Sequence, residues 1–216
     1  MIQLAEPETT ITFEEGVGVV PVTFQVREGQ LHLIQMRQPL PTFGPVFADR
    51  EAVAQMLSLD PAVLDATLPL EVVSCGVPFL FVPIKSLEAM RAIRFRLDVW
   101  ERVLRDFAAP HVFAFTQEVA LPDSTVHSRM FAPAMGIAED PATGAASGPL
   151  GCYLVRHGLV QPAAMGSSQM VSEQGFELGR PSLVQVKIEQ DERHITGVYV
   201  GGQCYLMGEG CITLAE

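Results

Sequence analysis

A chain of 216 residues, 48% of them hydrophobic, is long enough to bury one large core or two smaller ones. It carries 25 acidic and 14 basic side chains, and this net charge of −11 argues against nucleic acid or an anionic membrane as a partner. The sequence has neither an apolar run of 18 residues nor the basic-then-apolar start of a secretion signal, so we expect no membrane span and a cytoplasmic location.

The cysteines and histidines are spaced too irregularly for a metal site. The four cysteines form no CxxC pair, and the five histidines form no HxxxH or HExxH pattern. Isolated cysteines in apolar surroundings predict buried free thiols in a reducing compartment. We therefore expect no bound metal. The four cysteines are Cys75, Cys152, Cys204 and Cys211.

The first third of the chain predicts strands followed by short helices. Residues 9–37 alternate apolar and polar side chains, which is typical of strands. The stretch QPLPTFGPVF (38–47) contains three prolines and therefore predicts a crossover segment. Asp49 is placed to cap a helix over about 49–58, and Asp60-Pro61 to begin a short second helix.

The remainder of the chain alternates strands with single helices. Residues 70–84 predict two strands joined around Gly76, and Ser86 and Asp98 are each expected to begin a helix. The alternation indicates an α/β or α+β fold with a mixed sheet. Further strands are predicted in HVFAFTQ and TVHSRMFAP, and near 182–190, 193–201 and 203–214.

Residues 136–158, GIAEDPATGAASGPLGCYLVRHG, predict a helix that is apolar on all sides and ends at Gly158. Such a helix must be surrounded on all sides, as in the centre of a wrapped sheet. Two start positions are open. A start at Gly144 places Pro149 inside the helix, where one backbone hydrogen bond is lost, whereas a start near Ser147 places it in the first turn.

The start of this helix predicts an anion-binding site. Its first N–H groups have no intrahelical partner and carry partial positive charge. The small residues Thr143, Gly144 and Ala145 leave these donors accessible to the carboxylate of a small substrate. Asp140 would then transfer a proton beside the bound anion. The alternative is that Asp140 only caps the helix and no ligand binds.

The stretch RMFAPAMGIAEDPATGAASGPLGCYLVRHG resembles the signature of the PhzF-like family of phenazine biosynthesis, which shares the diaminopimelate epimerase fold. Further segments resemble the family in the same order: FEEGVGVVPV, VVSCGVPFLFVPI, EQGFELGRPS and VGGQCYLMGEGCITL. The resemblance implies two lobes, each a mixed sheet wrapped around one central helix, and a homodimer. It also implies an isomerase that shifts a proton without a metal or organic cofactor.

The resemblance also implies site residues. Asp140 corresponds to the active-site aspartate of the second lobe, and the amides of Gly144 and Ala145, next to Thr143, correspond to the donors that hold the substrate carboxylate. Ala145 stands where many members have serine. The family's first-lobe glutamate and Gly-His-Pro motif are not found, and Glu8 lies too close to the EEGVG segment to be that glutamate.

Because the first-lobe glutamate and the Gly-His-Pro motif are not found, we expect the first lobe to be incomplete. Residues 1–40, completed by about 201–216, are interpreted as a remnant of the first lobe. Residues 41–200 are interpreted as the second lobe, with its central helix near 144–157. Arg180 has two interpretations, because it could pair with an anion or simply occupy the turn formed by Gly179 and Pro181.

Three functions follow from these patterns. The first is a PhzF-like isomerase that performs acid/base proton transfer on a small carboxylated substrate, such as a cyclic amino acid, and that is inactive alone if the first-lobe glutamate is missing. The second is an amino-acid epimerase or racemase, which in this fold uses paired cysteines at the helix mouths, although PATG (141–144) contains none. The third is a non-catalytic remnant that binds small molecules or dimerises through an exposed strand edge within residues 10–26.

Overall fold

A computed structural model describes residues 4–16, 18–161, 166–192, 194–205 and 208–211. This part of the chain contains twelve strands and four α-helices. The strands are β1 (Glu8–Glu15), β2 (Gly18–Arg27), β3 (Gln30–Gln38), β4 (Thr42–Val46), β5 (Glu71–Ser74), β6 (Pro78–Pro83), β7 (His111–Thr116), β8 (Val126–Ala132), β9 (Ile137–Asp140), β10 (Ser167–Gln174), β11 (Ser182–Asp191) and β12 (His194–Gly202). The helices are α1 (Arg50–Leu57), α2 (Leu87–Ala92), α3 (Leu97–Val103) and α4 (Gly144–Arg156).

All twelve strands belong to one mixed sheet. Its order is β1-β2-β3-β12-β11-β10-β8-β7-β6-β5-β4, and β9 pairs with β8 beside this path. The pairs β6–β7 and β8–β10 are parallel, which makes the sheet mixed as predicted. Because β3 pairs antiparallel with β12, the N-terminal strands continue the sheet of the C-terminal strands. None of the helices in the described part of the chain is long and apolar enough to cross a membrane.

Helix α4 is the central helix that the sequence predicts. Nine of its thirteen residues are buried, and it packs against β5, β6, β11 and β12. The Tyr153 hydroxyl donates to the carbonyl oxygen of Pro69 at 2.7 Å, and its ring lies 5.4 Å from that of Phe115. The helix begins at Gly144, so Pro149 lies inside it. Of the two start positions that the sequence left open, Gly144 and a position near Ser147, the structure has the first.

The middle strands are buried on both faces, which explains their continuous apolar sequences. Phe81 and Phe113 point toward α4, whereas their neighbours Leu80 and Val112 point toward the layer formed by α1, α2 and α3. Two hydrophobic cores therefore share one sheet. The mixed α+β class with a sheet around a central helix is confirmed by this arrangement.

The structure corrects the prediction for the proline-rich stretch. Residues Thr42–Val46, expected as part of a crossover, form β4 at one edge of the sheet. Pro45 is compatible with this position because an edge strand need not donate on its outer side, and the register shifts between Phe43 and Val46. Two strands, β9 and β10, were not predicted at all, because their sequences IAED and SSQMVSEQ show little apolar alternation.

Helix starts were predicted correctly at three positions, one of them Asp60, which caps a short 3-10 helix over Pro61–Val63, and wrongly at a fourth. The side chains of Asp49 and Ser86 accept hydrogen bonds from the first turns of α1 and α2, as expected. Helix α3 instead begins at Leu97, after Arg96, so Asp98 lies in the first turn. Its carboxylate accepts from the Arg96 guanidinium at 2.7 Å, and no side chain caps this helix in the described part of the chain.

The C-terminal segment also differs from the prediction. Residues 203–205 and 208–211 form no strand, and the rest of the strand expected near 203–214 lies outside the described residues. Cys75 and Cys152 are buried free thiols as predicted, but Cys204 and Cys211 are exposed. The prediction of burial fails for these two because the segment that carries them pairs with no other strand in the described part of the chain.

Close packing of α4 against β11 leaves no room for a side chain at Gly151. A Cβ atom at Gly151 would lie 2.7 Å from Val186 Cγ1 and 3.0 Å from Ile188 Cδ1, so Gly151→Ala forces the helix away from β11. Overpacking of this kind typically costs about 1–3 kcal/mol, more than the roughly 1 kcal/mol gained in helix propensity. Urea denaturation should show a net loss of stability. Gly144→Ala is the matched control, because its nearest contact would be 3.8 Å, and a similar loss there would contradict the prediction.

Candidate functional site

The site lies where β9 ends and α4 begins. Asp140, the last residue of β9, is half-buried and pairs in register with Met130 of β8. Its carboxylate Oδ2 accepts the hydroxyl proton of Thr143 at 2.6 Å. The N-cap of α4 is Thr143, so Asp140 does not act as the cap. The structure therefore shows an aspartate beside the helix mouth whose bond is to a hydroxyl and not to the helix amides.

Strand β9 is fixed by a buried ion pair that the sequence analysis missed. The Arg129 guanidinium donates to both carboxylate oxygens of Glu139, each at 2.8 Å, and to the carbonyl oxygen of Met90 at 2.8 Å. The two side chains are 7% and 12% exposed. This contact joins β8, β9 and the end of α2, and so fixes the strand that ends at Asp140. Its partners lie ten residues apart across a hairpin that the sequence did not reveal.

Two amide donors remain available at the mouth of α4. The N–H groups of Ala146 and Ser147 both donate to the carbonyl oxygen of Thr143, at 3.3 and 3.1 Å. The N–H groups of Gly144 and Ala145 have no acceptor among the described residues. Ala145 is exposed and Gly144 is half-buried. These two amides are the donors that a carboxylate could reach.

Thr143 has a different environment from its two neighbours. It is buried, and its N–H donates to Oε1 of Gln174 at 3.0 Å. Its hydroxyl oxygen lies 2.9 Å from Nε2 of the same glutamine and donates to Asp140. The backbone N–H and the hydroxyl of Thr143 are thus hydrogen-bonded to Gln174 and Asp140, and are not available to a ligand. The sequence motif places Asp140, Thr143, Gly144 and Ala145 close together. It gave no sign that Gln174 would contact Thr143.

An open cavity lies next to the helix mouth. It has a volume of about 470 Å³ and is bounded by α4, by the hairpin strands β1–β3 and by the turn after β5. Its lining is mostly apolar, which suits a small hydrophobic ring system with one polar end. The lining residues include Phe13, Val20, Val22, Met36, Val77 and Ala145.

Arg180 lies outside this arrangement. It is exposed, follows the left-handed Gly179, and its backbone N–H donates to the carbonyl oxygen of Gly175 at 3.0 Å. Its side chain makes no ion pair with a described residue. The turn therefore accounts for its position without an anion.

A buried histidine lies between two carboxylates behind the site. His127 Nδ1 is 2.8 Å from Glu173 Oε2, and Nε2 is 2.9 Å from Glu177 Oε1. Ionised carboxylates only accept hydrogen bonds, so this geometry requires both ring nitrogens to donate and favours the imidazolium. Burial opposes the charged ring, but the hydrogen bonds that the ring donates to Glu177 and Glu173 outweigh it and raise the pKa of His127. Burial raises the pKa of both glutamates, but hydrogen bonds outweigh it and lower the pKa: for Glu173 these come from the amide of Ala120 and then from His127, and for Glu177 from His127.

These shifts predict how stability depends on pH. The contribution of His127, whose pKa is raised, is complete below about pH 6.5 and is lost as pH rises through its folded-state value. The contribution of the glutamates, whose pKa values are lowered, is complete above about pH 4.3 and is lost as pH falls through theirs. Unfolding free energy measured from pH 4 to 9 should decline on the alkaline side. His127→Gln should remove that decline, and the exposed His32→Gln should keep it.

Comparisons with known proteins find a matching family and similar relatives. The profile of a family described as "Phenazine biosynthesis-like protein" matches residues 2–210. The trans-2,3-dihydro-3-hydroxyanthranilate isomerase of Pseudomonas fluorescens is 32% identical over 93% of this chain and 66% of its own length. The chain spans about two thirds of the length of the curated relatives it matches.

Solved structures show the same architecture. The PhzF-family phenazine biosynthesis protein of Bacillus anthracis superimposes with a TM-score of 0.77 at 27% identity, over 89% of this chain and 64% of that one. A hydroxyproline epimerase from Agrobacterium vitis gives a TM-score of 0.58 at 15% identity, over 96% of this chain and 60% of that one. The second likeness concerns the fold alone. Together they confirm an epimerase-like fold.

Proposed function

Because the chain belongs to the phenazine biosynthesis-like (PhzC-PhzF) family, we propose that it forms part of an isomerase site for a small carboxylated substrate. In this proposal, the amides of Gly144 and Ala145 bind the substrate carboxylate. Asp140 takes or gives a proton at a neighbouring carbon. The cavity holds the apolar body of the substrate. No metal or organic cofactor takes part in these steps.

One observation carries the proposal. A half-buried carboxylate lies beside two amide donors that are free among the described residues, and the mouth adjoins an apolar cavity. A carboxylate bound by oriented amides keeps a fixed position, and a fixed substrate brings its C–H bond within reach of Asp140. The isomerase names of the curated relatives support the same class of reaction.

A proton shift needs a second acid/base group. The family resemblance assigns that role to a first-lobe glutamate, for which we find no counterpart in this sequence. We place the second group in the region of the relatives that this chain does not match. The chain alone is then expected to bind the substrate more readily than it converts it.

The test is an exchange experiment in heavy water. The full chain is incubated with trans-2,3-dihydro-3-hydroxyanthranilate in D₂O, and deuterium incorporation at carbon is followed by mass spectrometry. Incorporation above a protein-free sample supports the proposal, because it requires a protein group that removes and returns a proton. A substrate that neither binds nor exchanges would contradict it.

A second candidate is a non-catalytic binding protein that dimerises. The observation in its favour is the outer strand β1, which ends the sheet and carries the half-exposed Phe13 next to the cavity. Binding without exchange in D₂O, together with a dimer in light scattering, would select this candidate. A homodimer is also what we propose for the isomerase, with a cytoplasmic location, so light scattering alone does not separate the two.

A further inference from the structure

The orientation of the Gln174 amide is determined by its partners. The N–H of Thr143 can only donate, so the glutamine atom 3.0 Å from it is Oε1. The carbonyl oxygen of Asp140 can only accept, so the atom 2.7 Å from it is the amide nitrogen. Both contacts agree on one orientation, and the flipped amide would break both.

This orientation determines the direction of the Thr143 hydroxyl. Gln174 Nε2 has two hydrogens, and its second acceptor is Thr143 Oγ1 at 2.9 Å. The hydroxyl oxygen therefore accepts from the glutamine, and its own hydrogen is free to point at Asp140 Oδ2, 2.6 Å away. Oδ2 is the one acceptor for this hydrogen among the described residues, so a proton on Oδ2 would leave the Thr143 hydrogen without a partner.

The direction of that hydrogen distinguishes the two oxygens of Asp140. In this contact Oδ2 is the acceptor, because it receives the Thr143 hydrogen. Oδ1 has no hydrogen-bond partner among the described residues. We infer that Gln174 is a positioning residue which, through Thr143, reserves Oδ1 of Asp140 as the atom that exchanges the proton with the substrate. This inference rests on the proposed function of Asp140.

The proton balance is simple. A proton leaves a substrate C–H bond for Oδ1, and the electron pair of that bond stays on the substrate. Oδ1 then returns this proton, or a deuteron gained from D₂O, to the same carbon, whereas its return at another carbon needs the second acid/base group. Because the lone pairs of Oδ1 have a fixed direction, only one side of Asp140 can do this. Thr143 then orients the catalytic group and is not itself a donor to the substrate.

Gln174 is held firmly enough for this role. It is fully buried at the end of β10, paired in register with Ser128 of β8. The preceding Glu173 accepts from the amides of Ala120 and Leu121 and from His127. The following Gly175 has φ +81°, and a Cβ atom there would lie 2.6 Å from the carbonyl oxygen of Pro141. The glutamine thus sits between two fixed residues, at the turn that faces Asp140.

The direct test is a joint X-ray and neutron structure of the full chain in D₂O, at neutral and acidic pD. The expected deuteron of Thr143 points at Asp140 Oδ2, and the deuteron that Asp140 gains in acid is on Oδ1. A deuteron on Oδ2, or a Thr143 hydroxyl turned away from Asp140, would overturn the inference. This result does not depend on turnover, so failure of the proposed function would be seen separately in the exchange experiment.

Variants provide the kinetic test. Gln174→Glu keeps the shape but cannot donate to Thr143, and misdirection of Asp140 should lower the rate of deuterium exchange at saturating substrate (kcat for exchange) by about 10²-fold, with little change in the substrate concentration that gives half of that rate (KM for exchange). Thr143→Val should act similarly, and Thr143→Ser should recover most of the loss. Gln169→Glu is the matched control, because it makes the same change at an exposed position of the same strand. Equal effects at 169 and 174, or a loss confined to KM, would contradict the positioning role.

Discussion

Asp140→Asn is expected to stop deuterium exchange into the substrate while leaving carboxylate binding intact. Asparagine has nearly the same shape, and its side-chain oxygen can still accept the hydroxyl proton of Thr143, whose bond to Asp140 is 2.6 Å long. The helix mouth and its free amides should therefore keep their structure. What the variant loses is a group that can accept and return a proton.

The expected loss in exchange rate follows from the proposed role of Asp140 as an acid/base group. General acid/base groups typically contribute about 10²–10⁴-fold to a rate, so the exchange rate should fall by that factor. The measurement is deuterium incorporation under saturating substrate, together with the dissociation constant from a titration. Asp98→Asn is the control, because Asp98 is an exposed carboxylate of α3, which packs on the other face of the sheet. An Asp140→Asn variant that exchanges at the rate of the unchanged protein would remove Asp140 from the mechanism.

Arg129→Met is expected to cause a large loss of stability. The guanidinium is nearly buried and donates to both oxygens of Glu139 and to the carbonyl oxygen of Met90. Methionine fills a similar volume but leaves a nearly buried carboxylate without a partner. Removing one member of such a pair typically costs about 3–5 kcal/mol.

A double variant separates the unpaired charge from the loss of packing. Arg129→Met combined with Glu139→Leu removes both charges, and replacement of a whole buried pair is often close to neutral. Urea denaturation should therefore show that the double variant is more stable than Arg129→Met alone. Arg102→Met, at an exposed ion pair of α3, is the control and should change little. Additive losses in the double variant would show that the contact is not an interacting pair.

The sequence predicts the elements whose signals are local. Asp49 and Ser86 precede their helices in a pattern that binds first-turn amides, and the structure shows both bonds. The central helix could be predicted because a stretch that is apolar on all sides has no stable place except inside other elements. Residues 140–145 are close together because they are neighbours in the chain. This part of the candidate site could therefore be predicted without the strand order of the sheet.

The parts that sequence reasoning missed depend on contacts between distant elements. Gln174 meets Thr143 only because β10 runs parallel to β8 and ends beside β9. Nothing near residue 174 indicates that pairing, because the β10 sequence is polar. Arg129 and Glu139 become partners through a short hairpin whose second strand has four residues. In both cases tertiary pairing, which local patterns do not encode, decides the geometry.

The central claim is that the mouth of α4 binds a carboxylate through its free amides, and amide NMR tests it most directly. In the full chain labelled with ¹⁵N, titration with benzoate should shift the signals of Gly144 and Ala145 in a saturable way, whereas the neutral analogue benzamide should not. If benzoate leaves both signals in place, or if benzamide shifts them equally, the helix mouth is not an anion site and the proposed function is contradicted.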